Sequence, residues 1–278
     1  MTWPEPLTWP FMQHAFIAAG CIAVAGSAVG YFAILRRQTF ATHALAHTGF
    51  AGAAGAALIG LHPLAGLFIV AFVAGLLMST LGARLGERDV SVGMVLMFAL
   101  GLGMLFLHMH DANANTAIGI LFGSILGINK VQVGLTAGIS LLLLIALAVL
   151  YRPLRFASIN PAAARARGVP LAAINLLFML MLATATAVAV PIIGALLCFA
   201  ILVGPAATAQ IWTGRIASGL VLSALLALLQ TWGGLLASYY LDYPATSWIA
   251  GFSFACYFIS RLCAPQLHDS LRPVRGYR

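Results

Sequence analysis

The chain has 278 residues, of which 62% are hydrophobic and 7% are charged, and its mean hydropathy is +1.03. Soluble globular domains carry about 25% charged residues, so this composition excludes a water-soluble enzyme, and the apolar runs are too long and uniform for a transmembrane β-barrel. The 14 Lys and Arg against 6 Asp and Glu give a net charge of +8. The arginines fall in short gaps between apolar runs, which is the positive-inside pattern of membrane proteins and not a nucleic-acid-binding face.

Nine apolar stretches are candidates for membrane-spanning helices, since a helix needs about 20 residues to cross the hydrocarbon core. They are 11–35, 41–60, 64–82, 90–107, 117–150, 171–189, 192–211, 216–236 and 246–262. The stretch 117–150 is too long for one crossing, so we predict a short or re-entrant piece before a crossing at 131–150. The chain is thus predicted to be an all-α polytopic membrane protein with eight or nine crossings, in a single transmembrane domain over residues 1–278.

The arginines also predict which side of the membrane each loop faces. Arginine-rich loops alternate with arginine-free loops, and the positive-inside rule assigns the first set to the cytoplasm. Nine crossings then place the N-terminus outside and the C-terminus, with a basic tail at 263–278, inside. The cytoplasmic set comprises Arg36, Arg37, Arg84, Arg88, the segment 152–167 and Arg215, and the opposite set comprises 62–63, 108–115 and 240–244.

Two histidines lie inside the second apolar stretch. His43 and His47 are four positions apart, which puts both imidazoles on one face of a helix, within reach of one ion. At about 1.5 Å per residue they lie roughly 9–15 Å from Arg37, a depth at which ionisable residues face the bundle interior or a water-filled path. Neutral imidazole is a good ligand for zinc and other borderline divalent ions, so we predict a metal contact rather than two histidines that only hydrogen-bond to neighbouring helices.

Two imidazoles do not complete a tetrahedral site. Water, another helix or the same pair from a second copy could supply the remaining ligands, and an incomplete site suits transport because the ion must leave again. A zinc protease would need HExxH with a glutamate as general base. The second position here is Ala44, so intramembrane proteolysis is excluded.

A further group of possible metal ligands lies in the loop HMHDANAN, which contains His108, His110 and Asp111. These residues are weaker candidates, either as an entry funnel that catches an ion outside the membrane or as a polar loop that happens to contain histidines.

The longest polar connection, 152–170, contains the signals of a short helix. Asn160 can cap it, Pro161 suits the first helical position, and Gly168 can end it in the left-handed conformation. Arg165 and Arg167 lie on this helix. So short a helix is marginal alone in water, so docking on a partner competes with an ordinary capped connector.

The chain has one lysine, Lys130, and it follows Asn129. A P-loop needs Gly-Lys-Ser/Thr, so the chain is predicted to have no ATPase site of its own. If the protein is a pump, its motor is another polypeptide, which favours docking of the 160–168 helix on an ATPase.

Four ordered segments resemble the membrane subunits of ABC importers for zinc, manganese and iron. GYFAILRRQTFATHALAHTGFAGAAGA resembles the family's Leu-Arg-Arg segment followed by Gly-Asp-Ala-x-Ser-His-Ala, and ILFGSILGI resembles its Leu-Phe-Gly-Ser segment. NPAAARARGVP resembles its Asp-Pro-x-x-Ala-x-x-x-Gly loop, and IIGALLCFAILVGPAATA resembles its segment ending in Pro-Ala-Ala-Thr-Ala. The resemblance covers nearly the whole chain.

The resemblance implies a multi-pass permease of the bacterial inner membrane. Its partners would be two ABC ATPase subunits, a periplasmic metal-binding protein and a second permease, with a homodimer expected. It implies that the 160–168 segment couples to the ATPase and that the metal contact lies on the second span. No permanently bound cofactor is expected; the metal is cargo.

The sequence departs from this family at two positions of the metal motif. His43 stands where the family usually has Asp, and Ala46 where it has Ser, whereas His47 matches. Imidazole in place of carboxylate moves preference away from manganese, so zinc is predicted, with manganese or iron as alternatives. Two other functions remain. One is a secondary metal carrier driven by an ion gradient, which is disfavoured because no carboxylate lies inside a confident span. The other is a cobalamin- or siderophore-type permease, which would leave the histidine pair unexplained.

Overall fold

The computed structural model describes residues 8–85, 88–109, 119 and 122–263, with the backbone alone at 83–85. Within these residues the chain forms ten helices. They are α1 (Pro10–Leu35), α2 (Thr39–Leu58), α3 (Pro63–Leu85), α4 (Arg88–Met109), α5 (Lys130–Ile159), α6 (Pro161–Ala166), α7 (Leu171–Ile193), α8 (Ala195–Trp212), α9 (Ile216–Leu241) and α10 (Ala245–Cys263). The predicted all-α membrane fold is confirmed.

Seven of these helices are long and apolar enough to cross a membrane, namely α1, α3, α4, α5, α7, α8 and α9. The two remaining long helices, α2 and α10, have 20 and 19 residues. Large apolar side chains cover the outside of the bundle, and Leu142 and Val149 are 63% and 73% exposed. Such an apolar surface is favourable in contact with lipid tails. The helices satisfy their backbone hydrogen bonds internally, as a membrane requires.

The centre of the bundle is formed by α1 and α7. Phe32 of α1 and Phe178 and Leu182 of α7 are fully buried. The helices α5, α8 and α9 pack on α1, while α2 packs against α3, α4, α7 and α8. The histidine-bearing helix is therefore held by neighbours on several sides.

Close helix crossings depend on glycine. A Cβ atom at Gly30 of α1 would overlap the carbonyl oxygen of Leu202 of α8, and one at Gly52 of α2 would overlap the backbone of Gly66 of α3. Small residues allow this approach in lipid, where association relies on packing and not on a hydrophobic force. The glycine- and alanine-rich spans thus set how closely α2 lies to α3, and α1 to α8.

In the stretch 117–150 the predicted start of the crossing, at residue 131, is confirmed to within one residue, whereas its predicted end, at residue 150, is wrong. Within the predicted span 117–150, residues 123–129 are not helical and α5 begins at Lys130 behind a capping box, in which the Asn129 side chain accepts from the Gln132 N–H. At its other end α5 continues to Ile159, through Pro153 and well into the segment 152–170 that we predicted to be a polar connection. Leu154 and Ala157 are buried, so packing on the bundle outweighs the helix-breaking tendency of proline.

The predicted short helix is confirmed as α6. The Asn160 side chain accepts a hydrogen bond from the Ala163 N–H at 2.9 Å, Pro161 is the first helical residue and Gly168 has a φ of +76°. Ala164 is buried, which anchors α6 against the bundle.

Candidate metal-contact site on α2

The two histidines predicted to bind metal lie side by side on α2. Their ring centroids are 4.6 Å apart, with the rings nearly perpendicular, and both side chains are half-buried. Two imidazoles bound to one tetrahedral zinc, with zinc–nitrogen distances of about 2.0–2.1 Å, have centroids about 5 Å apart. The separation of the two rings is therefore close to the one that a shared ion would need. The same separation also suits edge-to-face aromatic packing, so the geometry permits a metal contact without requiring one.

The helix behind the pair is closely packed. Ala44, Leu45 and Ala46 are at most 1% exposed, and the Thr48 hydroxyl donates to the Leu45 carbonyl oxygen at 2.9 Å. This packing fixes the rotation of α2, so the partly exposed face must be the one that carries the histidines.

The exposed face of the pair borders α8. The Phe199 ring lies perpendicular to the His43 ring at 5.8 Å, and Phe199 is 37% exposed. Leu196, three residues before Phe199 and so on the same face of α8, lines a cavity of about 220 Å³ together with Phe122 and Thr246. This cavity lies on the side of the predicted extracytoplasmic loops, one helical turn along α8 from Phe199.

The pair provides two ligands. Among the described residues, three or more His, Cys, Asp or Glu side chains are nowhere grouped in a way that could hold a metal ion. Within the part of the chain that the structure describes, the candidate site is therefore a two-imidazole site.

The weaker candidates are only partly described. His108 lies in the last turn of α4 and is exposed, whereas His110 and Asp111 lie outside the described residues.

The candidate coupling residues lie together at the cytoplasmic end predicted from the arginines. Arg165 and Arg167 are exposed on and just after α6, and the Arg167 guanidinium lies 5.4 Å from the centre of the Phe156 ring. Together with Asn160, Pro161 and Gly168 they form a compact basic projection below the bundle.

Sequence reasoning missed a partly buried polar cluster near this projection. Arg36 donates to Ser158 at 3.4 Å and to Asn175 at 3.1 Å, and Gln38 donates to Asn175 at 2.8 Å. Burial, with a smaller contribution from Arg88, lowers the pKa of the Arg36 guanidinium to about 10. In the sequence Arg36 was a marker of sidedness and part of the Leu-Arg-Arg segment, and nothing local distinguishes it from the exposed Arg37.

Comparison with known proteins agrees with these observations. The ABC 3 transport family matches residues 8–264. The manganese import system permease protein ScaB of Streptococcus pneumoniae is 30% identical over 92% of this chain and 91% of its own length, and ScaB of Streptococcus parasanguinis is 28% identical over the same shares. The manganese transport system membrane protein MntC of Halalkalibacterium halodurans is 27% identical, over 98% of this chain and 94% of its own length.

Two solved structures share the fold. A chain of PsaBC from Streptococcus pneumoniae in complex with Fab superposes with a TM-score of 0.83, is 25% identical and covers 94% of this chain and 95% of its own. An inward-facing metal-chelate-type ABC transporter superposes with a TM-score of 0.67 at 17% identity, over 93% of this chain and 84% of its own. The chain therefore belongs to the ABC 3 transport family, whose metal-importer permeases its sequence motifs resemble.

Proposed function

We propose that the chain is the transmembrane subunit of an ATP-driven importer of divalent metal ions, and that His43 and His47 are its transient metal contact. The observation that carries the proposal is the pair of half-buried imidazoles 4.6 Å apart on α2, in a chain of the ABC 3 transport family. Relatives that match over nearly the whole chain are named as manganese importers, which supports a metal ion as the cargo.

The incompleteness of the site supports a transport role. Two neutral imidazoles hold a dication less firmly than the closed four-ligand sites of structural zinc. A conducting site must bind strongly enough to admit the ion and weakly enough to release it. We infer that the same pair from a second copy, or water, supplies the remaining ligands as the ion passes through a homodimer.

Zinc is the cargo that the donor atoms favour. Both predicted ligands are nitrogens, and imidazole suits zinc, whereas manganese prefers carboxylate and carbonyl oxygen. His43 takes the place of the aspartate usual in the family motif, so the chain lacks the hard ligand there that manganese would use.

Manganese is the second candidate, and the names of the relatives favour it. Family resemblance extends to iron as well. Zinc is the expected cargo if the donor atoms on α2 set the preference, and manganese if other residues of the pathway set it.

The proposed partners are an ABC ATPase pair on the cytoplasmic side and a metal-binding protein on the periplasmic side of a bacterial inner membrane. Arg165 and Arg167, exposed on and just after α6, provide a basic surface on which an ATPase can dock. His108, at the opposite end of the bundle by the predicted sidedness, would with His110 and Asp111 receive the ion.

The test is metal uptake by proteoliposomes that contain the chain with its ATPase and binding protein. Wild type should accumulate zinc only with ATP. His43→Ala or His47→Ala should reduce the initial rate at least about tenfold, since loss of even a second-shell partner of a metal ligand typically costs about that much in affinity. His62→Ala, an exposed histidine of the α2–α3 connection, is the matched control and should keep the wild-type rate.

Two outcomes would overturn parts of the proposal. Unchanged zinc and manganese uptake in both α2 variants would remove the metal-contact site. Uptake that follows an imposed proton or sodium gradient without ATP would instead identify a secondary carrier.

A further inference from the structure

We propose that Arg36 is a positioning residue that links α6 to the histidine helix, so that a movement of α6 changes the position of His43 and His47. The inference rests on the proposed function, since it needs α6 to contact an ATPase and the histidines to contact metal. It gives a role to Arg36, which the sequence analysis placed in the Leu-Arg-Arg segment without assigning it a function.

Arg36 connects two places that are far apart in sequence. It ends α1 and lies seven positions before His43. Its Nη1 donates to the Ser158 hydroxyl at 3.4 Å. Ser158 lies in the last turn of α5, two positions before Asn160, which caps α6. A shift of α6 therefore reaches the α1–α2 turn through one side chain.

The contact is extended by a shared acceptor. Asn175 Oδ1, on α7, accepts from Arg36 Nη2 at 3.1 Å and from Gln38 Nε2 at 2.8 Å, while Asn175 Nδ2 donates to Ser79 of α3 at 3.2 Å. Gln38 is 4% exposed and is the residue before the first turn of α2. The start of the histidine helix is thereby tied to α3 and α7 as well as to α5.

The chemistry of the cluster suits a contact that opens and closes. The guanidinium is held by neutral oxygens and by the face of the Phe178 ring at 5.2 Å. These hydrogen bonds have a charged donor and neutral acceptors, so they lack the attraction between opposite charges that a carboxylate partner would add, and they are weaker than an ion pair. Arg36 Nε and Gln38 Oε1, both buried, have no partner among the described residues, which leaves each of them free to bond in a second arrangement.

A residue that only stabilises the fold would make the same contacts. The two possible roles of Arg36 differ in which properties of the complex change when its side chain is lost. Loss of a purely stabilising residue lowers the stability of the complex and all of its activities together. Loss of a positioning residue lowers the number of ions moved per ATP hydrolysed while the complex stays assembled, because energetic coupling between sites resides in elements with two discrete arrangements.

The experiment measures ATP hydrolysis, metal uptake and melting temperature of the same reconstituted complex. Arg36→Gln should lower the ions moved per ATP about tenfold, within the range for residues that carry coupling, and Arg36→Lys should restore part of this ratio because it keeps one charged donor. Arg37→Gln, at the exposed neighbour, is the matched control and should leave the ratio unchanged.

A double-mutant cycle tests the route. Ser158→Ala should also lower the ratio, and combining it with Arg36→Gln should add little, because residues on one hydrogen-bonded path are not additive. Additive effects, an unchanged ratio, or parallel falls in hydrolysis, uptake and melting temperature would each overturn the inference. If the wild-type complex transports no metal, the proposed function itself is wrong. If the wild type transports metal but the variants behave as just described, only the role of Arg36 is wrong.

Discussion

His43 is the residue at which this chain departs most clearly from the family motif. Its ring contacts both His47 and Phe199, so it belongs to the partly exposed face of α2 and not to the core. If the pair is the proposed metal contact, a nitrogen donor at this position changes which ions it would accept. The metal preference of the pair should therefore depend on the side chain at position 43.

His43→Asp should shift this preference toward manganese. A carboxylate adds a hard oxygen donor and a negative charge, which suit manganese better than imidazole does. We expect the ratio of manganese to zinc uptake to rise about tenfold, the factor that corresponds to 1.4 kcal/mol. Uptake of both isotopes by the same proteoliposomes measures it.

The control for this change is His62→Asp, which adds the same charge in the α2–α3 connection. A ratio that rises equally in both variants would show that overall charge, and not the ligand on α2, sets the preference.

At the scale of the element, α6 owes its form to caps at both ends. The Asn160 side chain holds its first turn, and Gly168, with positive φ, allows the chain to turn away after Arg167. Buried Ala164 fixes one face against the bundle, and the two arginines are left exposed. The helix is short, yet its ends are defined well enough to present a rigid basic surface.

Reversing the charge of this surface should prevent assembly with the ATPase. In Arg165→Glu/Arg167→Glu the basic projection becomes acidic, and like charge across an interface opposes association. We expect the ATPase no longer to co-purify with the chain, while the melting temperature of the isolated chain changes little because both positions are exposed.

Arg215→Glu provides the comparison, since Arg215 is also exposed and lies in another loop of the predicted cytoplasmic side. Normal co-purification of the α6 double variant would contradict the docking role.

At the scale of the whole molecule, the order of the helices and the distribution of arginines together predict its orientation. The connections that contain Arg36, Arg37 and Arg215 lie at helix ends opposite to the connection that contains His62. Positive residues favour the cytoplasmic side, so in the proposed importer metal would enter from the His62 side and leave on the α6 side.

Single cysteines test this orientation. In a background with the four native cysteines replaced, Leu61→Cys should react with a membrane-impermeant maleimide in intact cells, and Gly214→Cys should react only after the membrane is opened. Leu61 is 50% exposed, and a Cβ at Gly214 meets no atom within 4 Å. The reverse labelling pattern would invert the topology.

The sequence alone determined the membrane class, most of the helices, the caps of α6 and the spacing of the histidine pair. These follow from composition and from interactions over one or two helical turns, which local sequence controls. It placed the C-terminal end of α5 too early, because burial of Leu154 and Ala157 extends that helix through Pro153.

Only the tertiary structure decided which face of α2 stays open and which arginine packs into the bundle. Arg36 and Arg37 are adjacent and chemically identical, yet one joins Ser158 and Asn175 inside the bundle and the other is exposed. Likewise, Phe199 meets His43 only because α8 packs beside α2. Contacts between residues more than 100 positions apart depend on how the helices pack, and packing in lipid is set by the fit of whole surfaces rather than by any short motif.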